Sequence, residues 1–320
     1  MNRVPSIASQ IARVDALDDQ ANVQPGDSWN ESYNISSQLS TTIQRQAASM
    51  DLKLEGTHVL ITGASGGVGV VTARLFLEAG ANVTLQYNST NLTLLPLQTS
   101  YPNQCHAHPA DVTSEGDIVT LFQAATSRFG PVEVLVVTHG VWPSQDVGVK
   151  DMSLERWRNT MSINLDGTFL SCKYFLKGIE TAVQERRSLS NVSIVLVGST
   201  AGKFGEAWHA DYACTKSAMM QGLTLSLKNE IVKTHPKGRV NAVAPGWIRT
   251  PMAERAMQDP TLLYQALAST PLKKVSEPSD IAKAILFLSS EAVSGNMTGV
   301  CLDLNGGMEG RLLNNPQDFA

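Results

Sequence analysis

The sequence predicts an α/β fold: a doubly wound, mostly parallel sheet with helices on both faces, in a single domain. Three observations predict it. From Leu54 onward, short apolar runs alternate with longer segments of helical periodicity. Several of those runs are apolar almost throughout, as strands covered on both faces require. The pitch of strand, helix and strand is that of parallel crossovers.

In chain order, HVLITG (58–63), NVTLQY (82–87), VEVLVVT (132–138), VSIVLVG (192–198), RVNAVAPG (239–246) and GVCLDLN (299–305) read as strands. CHAHPAD (105–111) is poor in strand formers. A third strand is assigned there because the topology needs one between NVTLQY and VEVLVVT. Helices are expected over 68–79, 115–129, 154–181, 211–233 and 279–290, with Ser114 as the N-cap of the second. The charged linker 180–191 reads as a surface excursion, and 251–276 as a mobile lid. Residues 1–50 are rich in Ser, Gln, Asn and Asp and are expected to be a mobile extension with a short helix near 35–48. Met50 directly precedes DLKLEG, so a shorter protein starting there is the alternative reading of that segment. The domain is then 51–310, followed by a tail over 311–320.

Composition narrows the function. The formal net charge of the 320 residues is −4, with no basic stripe, so neither a nucleic acid nor a membrane is expected as partner. No apolar run of about 18 residues exists and the N-terminus lacks the order of a secretory signal; a cytoplasmic protein is expected. Cys105, Cys172, Cys214 and Cys301 are scattered without a CxxC pair, which predicts free thiols and no metal site.

Two motifs carry chemistry. TGASGGVG (62–69) follows the first strand and opens the first helix. Its glycines allow a tight turn that brings backbone N–H groups to a pyrophosphate at the helix N-terminus. Tyr212 and Lys216 stand four positions apart in ADYACTKSAMM, so on a helix a phenol and an ammonium share one face. A nearby cation favours the phenolate and makes the phenol useful for acid–base work.

The glycine spacing is Gly-x-x-x-Gly-x-Gly, and with it the chain resembles the classical short-chain dehydrogenases/reductases over roughly residues 54–308, which implies a Rossmann-type sheet. Their TGxxxGxG matches Thr62 to Gly69, their YxxxK matches Tyr212 to Lys216, and Ser199 in GSTAG lies 13 positions before the tyrosine. DVT (111–113), THG (138–140), Asn164 in MSINLDG, PGWIRTPM (245–252) and LNGG (304–307) follow the family's order.

The resemblance implies that Tyr212 is the general acid or base, that Ser199 orients the substrate oxygen, and that Lys216 binds ribose hydroxyls and keeps the tyrosine acidic. Asn164 would help hold a water linking Lys216 to solvent. Gly63, Ser65, Gly67, Val68 and Gly69 would meet the phosphates. Asp111 and Val112 would meet the adenine, with Asp111 as a helix cap the alternative. Gly140 would lie behind the ribose, and Pro245, Gly246, Ile248 and Thr250 would frame the nicotinamide. Where the family reads NAG this chain has Thr138-His139-Gly140, and His139 is expected to be a hydrogen-bonded wall residue.

The second strand ends in Gln86-Tyr87-Asn88-Ser89-Thr90, with no carboxylate to repel a 2′-phosphate, and Asn88 could hydrogen-bond to one. NADP is therefore the expected cofactor and NAD the alternative, since Gly66 stands where relatives that prefer NADP often carry arginine. Val141, Trp142, Phe204, Trp208, Trp247 and Met252 are candidate pocket residues, and they imply a partly apolar substrate. The expected activity is hydride exchange with a ketone or secondary alcohol. A catalytically silent dinucleotide sensor or scaffold, and redox-neutral chemistry on the same scaffold, are the alternatives. A homodimer or homotetramer is implied by the resemblance, with Leu223, Leu227 and Ile231 facing a partner or the sheet.

Overall fold

The computed structural model describes residues 51–309; the expected extension, its helix near 35–48 and the tail at 311–320 lie outside the described residues. Seven strands form one parallel sheet: β1 His58–Thr62, β2 Asn82–Tyr87, β3 Cys105–Pro109, β4 Val134–Val137, β5 Ser193–Val197, β6 Arg239–Pro245 and β7 Cys301–Leu304. Their spatial order is β3-β2-β1-β4-β5-β6-β7, and every neighbouring pair is parallel. The order reverses between β1 and β4, the switch point at which such sheets open a crevice beyond the strand ends.

The central strands are apolar on both faces because both faces are covered. Leu60 of β1, Leu135 and Val137 of β4, and Ile194 and Leu196 of β5 point into one layer. Val59 and Ile61, Val134 and Val136, and Val195 and Val197 alternate into the other. The first layer is closed by α3 (Glu115–Phe129), α5 (Gly167–Gln184) and α8 (Thr224–Thr234), and the second by α1 (Gly67–Glu78) and α11 (Pro278–Ser289). Leu227 and Ile231 of α8 are buried in the first layer and Leu223 packs on its margin, so the open choice between partner and sheet resolves to the sheet.

The remaining helices are short: α2 Leu95–Ser100, α4 Leu154–Met161, α6 Thr200–Phe204, α7 Ala210–Ser217, α9 Glu254–Met257, α10 Pro260–Ala268 and α12 Glu291–Ser294. The helix expected over 154–181 is α4 and α5 joined by a π-helical turn at Ser162–Asp166, and that over 211–233 is α7 and α8 joined by another at Ala218–Leu223. The lid expected at 251–276 contains α9 and α10. No helix among the described residues is long and apolar enough to cross a membrane.

Candidate active site

The site forms at the C-terminal ends of β1, β2, β4, β5 and β6. After β1 the chain turns through Gly63, whose φ is +64° and where a Cβ would stand 2.5 Å from the Cα of His139. A Cβ on Gly69 would stand 2.4 Å from the Gly63 carbonyl, so the first turn of α1 packs directly on the loop. The α1 N-cap, Gly66, supplies no side-chain cap. The amide groups at this helix start are thereby left to a ligand, and they carry the positive end of the helix dipole.

Gln86, buried at the end of β2, clamps this region. Its Oε1 accepts from the Gly63 N–H at 2.7 Å and its Nε2 donates to the Ala110 carbonyl at 2.6 Å, tying the ends of β1, β2 and β3 together. Asp111 accepts at Oδ1 from the Thr113 N–H and hydroxyl, while the cap of α3 is Ser114, whose Oγ accepts from the Asp117 N–H. Asp111 is therefore the turn residue beside the cap and not the cap itself.

The stretch after β4 is held from two sides. Thr138 donates to the Thr62 carbonyl at 2.6 Å, and His139 Nδ1 lies 2.7 Å from Thr62 Oγ1. Burial, then the nearby Lys216, push the His139 imidazole down to about 3, so it is a neutral wall group. From the π turn, Asn164 accepts from the Val141 N–H at 2.7 Å and donates to the Val141 carbonyl at 3.0 Å, pairing with that residue as a neighbouring strand would. A Cβ on Gly140 would come within 3.3 Å of Asn164 Oδ1 and 3.5 Å of Lys216 Nζ, which is why glycine suits this position.

Ser199 begins α6 as its N-cap, accepting from the Ala201 N–H, and Tyr212 and Lys216 rise from α7. The Lys216 ammonium donates to the Val197 carbonyl at 2.7 Å and lies 5.7 Å from the centre of the Tyr212 ring. Tyr212 is hydrogen-bonded to Ser199. The N-terminus of α7 is anchored by buried Asp211, whose Oδ2 accepts from Arg156 Nε at 3.0 Å and from the Thr160 hydroxyl at 2.9 Å. Burial opposes that charge, but these bonds hold the carboxyl below its ordinary range.

The expected lowering of the tyrosine pKa does not occur with the protein's own groups. Burial pushes Tyr212 up to about 12 against the Ser199 bond, with Glu206 adding to the rise, and pushes Lys216 down to about 8. For both groups desolvation is the first cause, and it acts against the charged form.

A cavity of about 650 Å³ is lined by Gly63, Ser65, Gly67, Val68, Gly69, Asn88, Asp111, Val112, Gly140, Val141, Tyr212, Lys216, Pro245, Gly246, Ile248 and Thr250, together with Gln86, His139 and Ser199. Every sequence-predicted cofactor residue is thus on its wall, while Asn164 lies fully buried behind it. A smaller cavity of about 270 Å³ adjoins it, lined by Trp142, Phe204, Trp247 and Met252 as expected, and also by Glu206 and Met308. Ser199 and Tyr212 belong to both walls. Trp208 lies outside both cavities. Its backbone adopts φ +69°, and its ring is 57% exposed and lies over Gly148.

Gln86, Glu206 and the Arg156–Asp211 pair were not singled out from sequence. The one signal that could have marked Gln86 is its place at the end of β2, directly beside the glycine turn's expected ligand.

A doubly wound sheet with a glycine turn at its switch point, next to a serine, a tyrosine and a lysine, defines the class of nicotinamide-dependent oxidoreductases. A family model described as enoyl-(acyl carrier protein) reductase matches residues 63–309. The 3-oxoacyl-(acyl-carrier-protein) reductase of Thermotoga maritima is 31% identical over 80% of this chain and 99% of the relative. The 2,5-dichloro-2,5-cyclohexadiene-1,4-diol dehydrogenase of Sphingobium indicum is 33% identical over 79% and 97%. Among solved structures, a short-chain dehydrogenase/reductase of glucose/ribitol dehydrogenase type from Brucella melitensis superposes with a TM-score of 0.71 at 34% identity, covering 82% of this chain and all of that one. The chain belongs to the classical short-chain dehydrogenase/reductase family.

Proposed function

We propose that the protein transfers a hydride between a nicotinamide cofactor, NADPH in preference to NADH, and the carbonyl or secondary alcohol of a small to medium, partly apolar substrate, with Tyr212 as general acid and base. The observation that carries this reading is the shared wall: Ser199 and Tyr212 face both the cavity of the glycine turn and the aromatic-lined one. A group in either cavity can meet the same hydroxyls.

The cofactor supplies the hydride when bound. Gly63, Ser65, Gly67, Val68 and Gly69 hold its phosphates, Asn88, Asp111 and Val112 its adenosine end, and Pro245, Gly246, Ile248 and Thr250 its nicotinamide end. Tyr212, protonated at neutral pH because burial raises it, delivers its proton to the carbonyl oxygen. The Ser199 hydroxyl donates to that same oxygen as charge builds on it. Lys216, already held by the Val197 carbonyl, keeps donors for the ribose hydroxyls. The absence of a carboxylate at the end of β2 supports NADPH.

Reduced-nicotinamide absorbance with a panel of aryl and alkyl ketones tests the reading. Consumption is expected to be faster with NADPH than NADH. Tyr212→Phe should lose about 10²-fold or more in kcat while binding cofactor as the wild type does. Equal turnover by the variant would overturn the role of Tyr212.

Residence in the cytoplasm belongs to the same reading, since all four cysteines are free thiols, which suits a reducing compartment. So does a homodimer or homotetramer: Phe169 of α5 and Leu225 and Val232 of α8 leave apolar surface exposed on neighbouring helices. Light scattering showing a stable monomer would count against assembly.

A further inference from the structure

The aromatic cavity holds one charged side chain. Glu206 lines it with Ser199 and Tyr212, its side chain only 28% exposed, and among the described residues no lysine or arginine lines the same cavity. The carboxylate is fixed in place. Trp142 Nε1 donates to Oε1 at 3.0 Å, and the Trp142 ring stacks on the His209 ring at 4.4 Å between centroids with 15° between planes. His209 is in turn held by Nε2, which donates to the Pro143 carbonyl at 2.8 Å. The His209 Nδ1 stands 3.7 Å from Oε1, too far for a hydrogen bond. Both of these neighbours face Oε1, which leaves Oε2 without a hydrogen-bond partner among the described residues.

A carboxylate largely removed from water is costly unless donors reach both oxygens, and here the Trp142 N–H and the nearby His209 ring face Oε1 alone. An apolar substrate filling this cavity would cut Oε2 off from water and offer it nothing. Burial raises the Glu206 carboxyl above its ordinary range against the Trp142 bond and His209, with Asp146 and Asp211 adding to the rise. A substrate carboxylate would bring it no donor.

We propose that Glu206 is a specificity-determining residue of this site, and that its carboxylate receives a hydrogen-bond donor, a hydroxyl or an ammonium group, borne by the substrate beside its apolar portion. This rests on the oxidoreductase reading above and narrows it to ketones or alcohols carrying such a donor. The aromatic wall takes the apolar part and Trp142 presets the carboxylate, so the donor is recognised without rearrangement.

Four matched ketones test it: propiophenone, 2-hydroxyacetophenone, phenacylamine and benzoylacetate, which place a methyl, hydroxyl, ammonium or carboxylate at one position. In the wild type, kcat/KM for the hydroxyl and ammonium members is expected to exceed that for propiophenone about tenfold or more, with benzoylacetate the poorest. In Glu206→Leu both ratios should collapse toward one. Glu206→Gln should keep part of the hydroxyl preference and lose the ammonium preference. NADPH binding followed by fluorescence shows that each variant is folded.

Wild-type ratios near one, or ratios that survive Glu206→Leu, would overturn the inference and leave ketone reduction standing. Turnover of none of the four would instead remove the oxidoreductase reading. The inference is then decided by calorimetric binding of the same ketones to the protein saturated with NADP, where the same ordering is expected in Kd and equal binding refutes it.

Discussion

Tyr212 and Lys216 share one burial and respond in opposite directions, the phenol rising to about 12 and the amine falling to about 8. For Lys216 the folded chain releases its proton more readily than the unfolded chain, whose lysine titrates near 10.5. Between about pH 8 and 10 the unfolded chain holds the extra proton at this lysine, a contribution that grows with pH, while the buried thiols of Cys105, Cys172 and Cys301, raised to about 11, 12 and 11, act the other way. Urea unfolding at pH 7.5 to 9.5 without cofactor should therefore show Lys216→Met losing stability with pH more steeply than the wild type. On the proposed mechanism, Ser199→Ala is expected to lower kcat by about 10²-fold to 10³-fold, because it would remove a donor to the developing negative charge. Gln86→Glu would set a carboxylate oxygen against the Ala110 carbonyl where an N–H now donates. A loss of about 1–3 kcal/mol is expected, read as a lower urea midpoint.

At the scale of the element, the turn into α1 is the least forgiving feature. Gly69→Ala would drive a Cβ into the Gly63 carbonyl at 2.4 Å, and backbone cannot yield there as a side chain could. NADPH affinity should fall at least tenfold by fluorescence titration, while Gly178→Ala on α5, whose Cβ would meet nothing within 4 Å, leaves it unchanged. Inner strands β1, β4 and β5 were legible in the sequence because they are covered on both faces and are almost wholly apolar, HVLIT, VLVV and SIVLV. β3 was placed by topology alone; as an edge strand with one neighbour it is only partly buried and needs little apolar content. α2 escaped notice because six residues starting at Leu95-Pro96 give no periodic signal. The two π turns also escaped notice, since a widened turn has no compositional mark and its residues still look helical. Site residues tied to a fixed spacing were legible, and all but Asn164 lie on the cavity wall. Gln86 and Glu206 act through partners 23 and 64 positions away, Gly63 and Trp142, which no local pattern announces. Trp208 was assigned to the pocket by proximity to Tyr212, but a left-handed backbone at that one residue accompanies a ring turned outward.

For the molecule as a whole, acid is the expected weakness. His58 is buried against the Gly130 carbonyl and Thr84 Oγ1, and burial pushes it down to about 4; His139 falls to about 3. Both folded values lie below the unfolded value of 6.5, so the unfolded chain binds the extra protons and stability is lost as pH falls from about 6.5. His58 alone accounts for on the order of 3 kcal/mol by pH 4. The urea midpoint should drop steeply over that range, and a flat profile would show that these imidazoles are not held neutral. The widened turn at Ala218–Leu223 gives a different kind of latitude, in length. It absorbs one residue beyond what a regular α-helical ladder would hold. Deleting one residue there would let the ladder close as ordinary α-helix, and because only the surplus is removed, Leu227 and Ile231 would keep facing the sheet with Tyr212 and Lys216 in place upstream. Deletion of exposed Gln221 or Gly222 should therefore still give soluble protein, and its loss would show that the wide turn itself is needed.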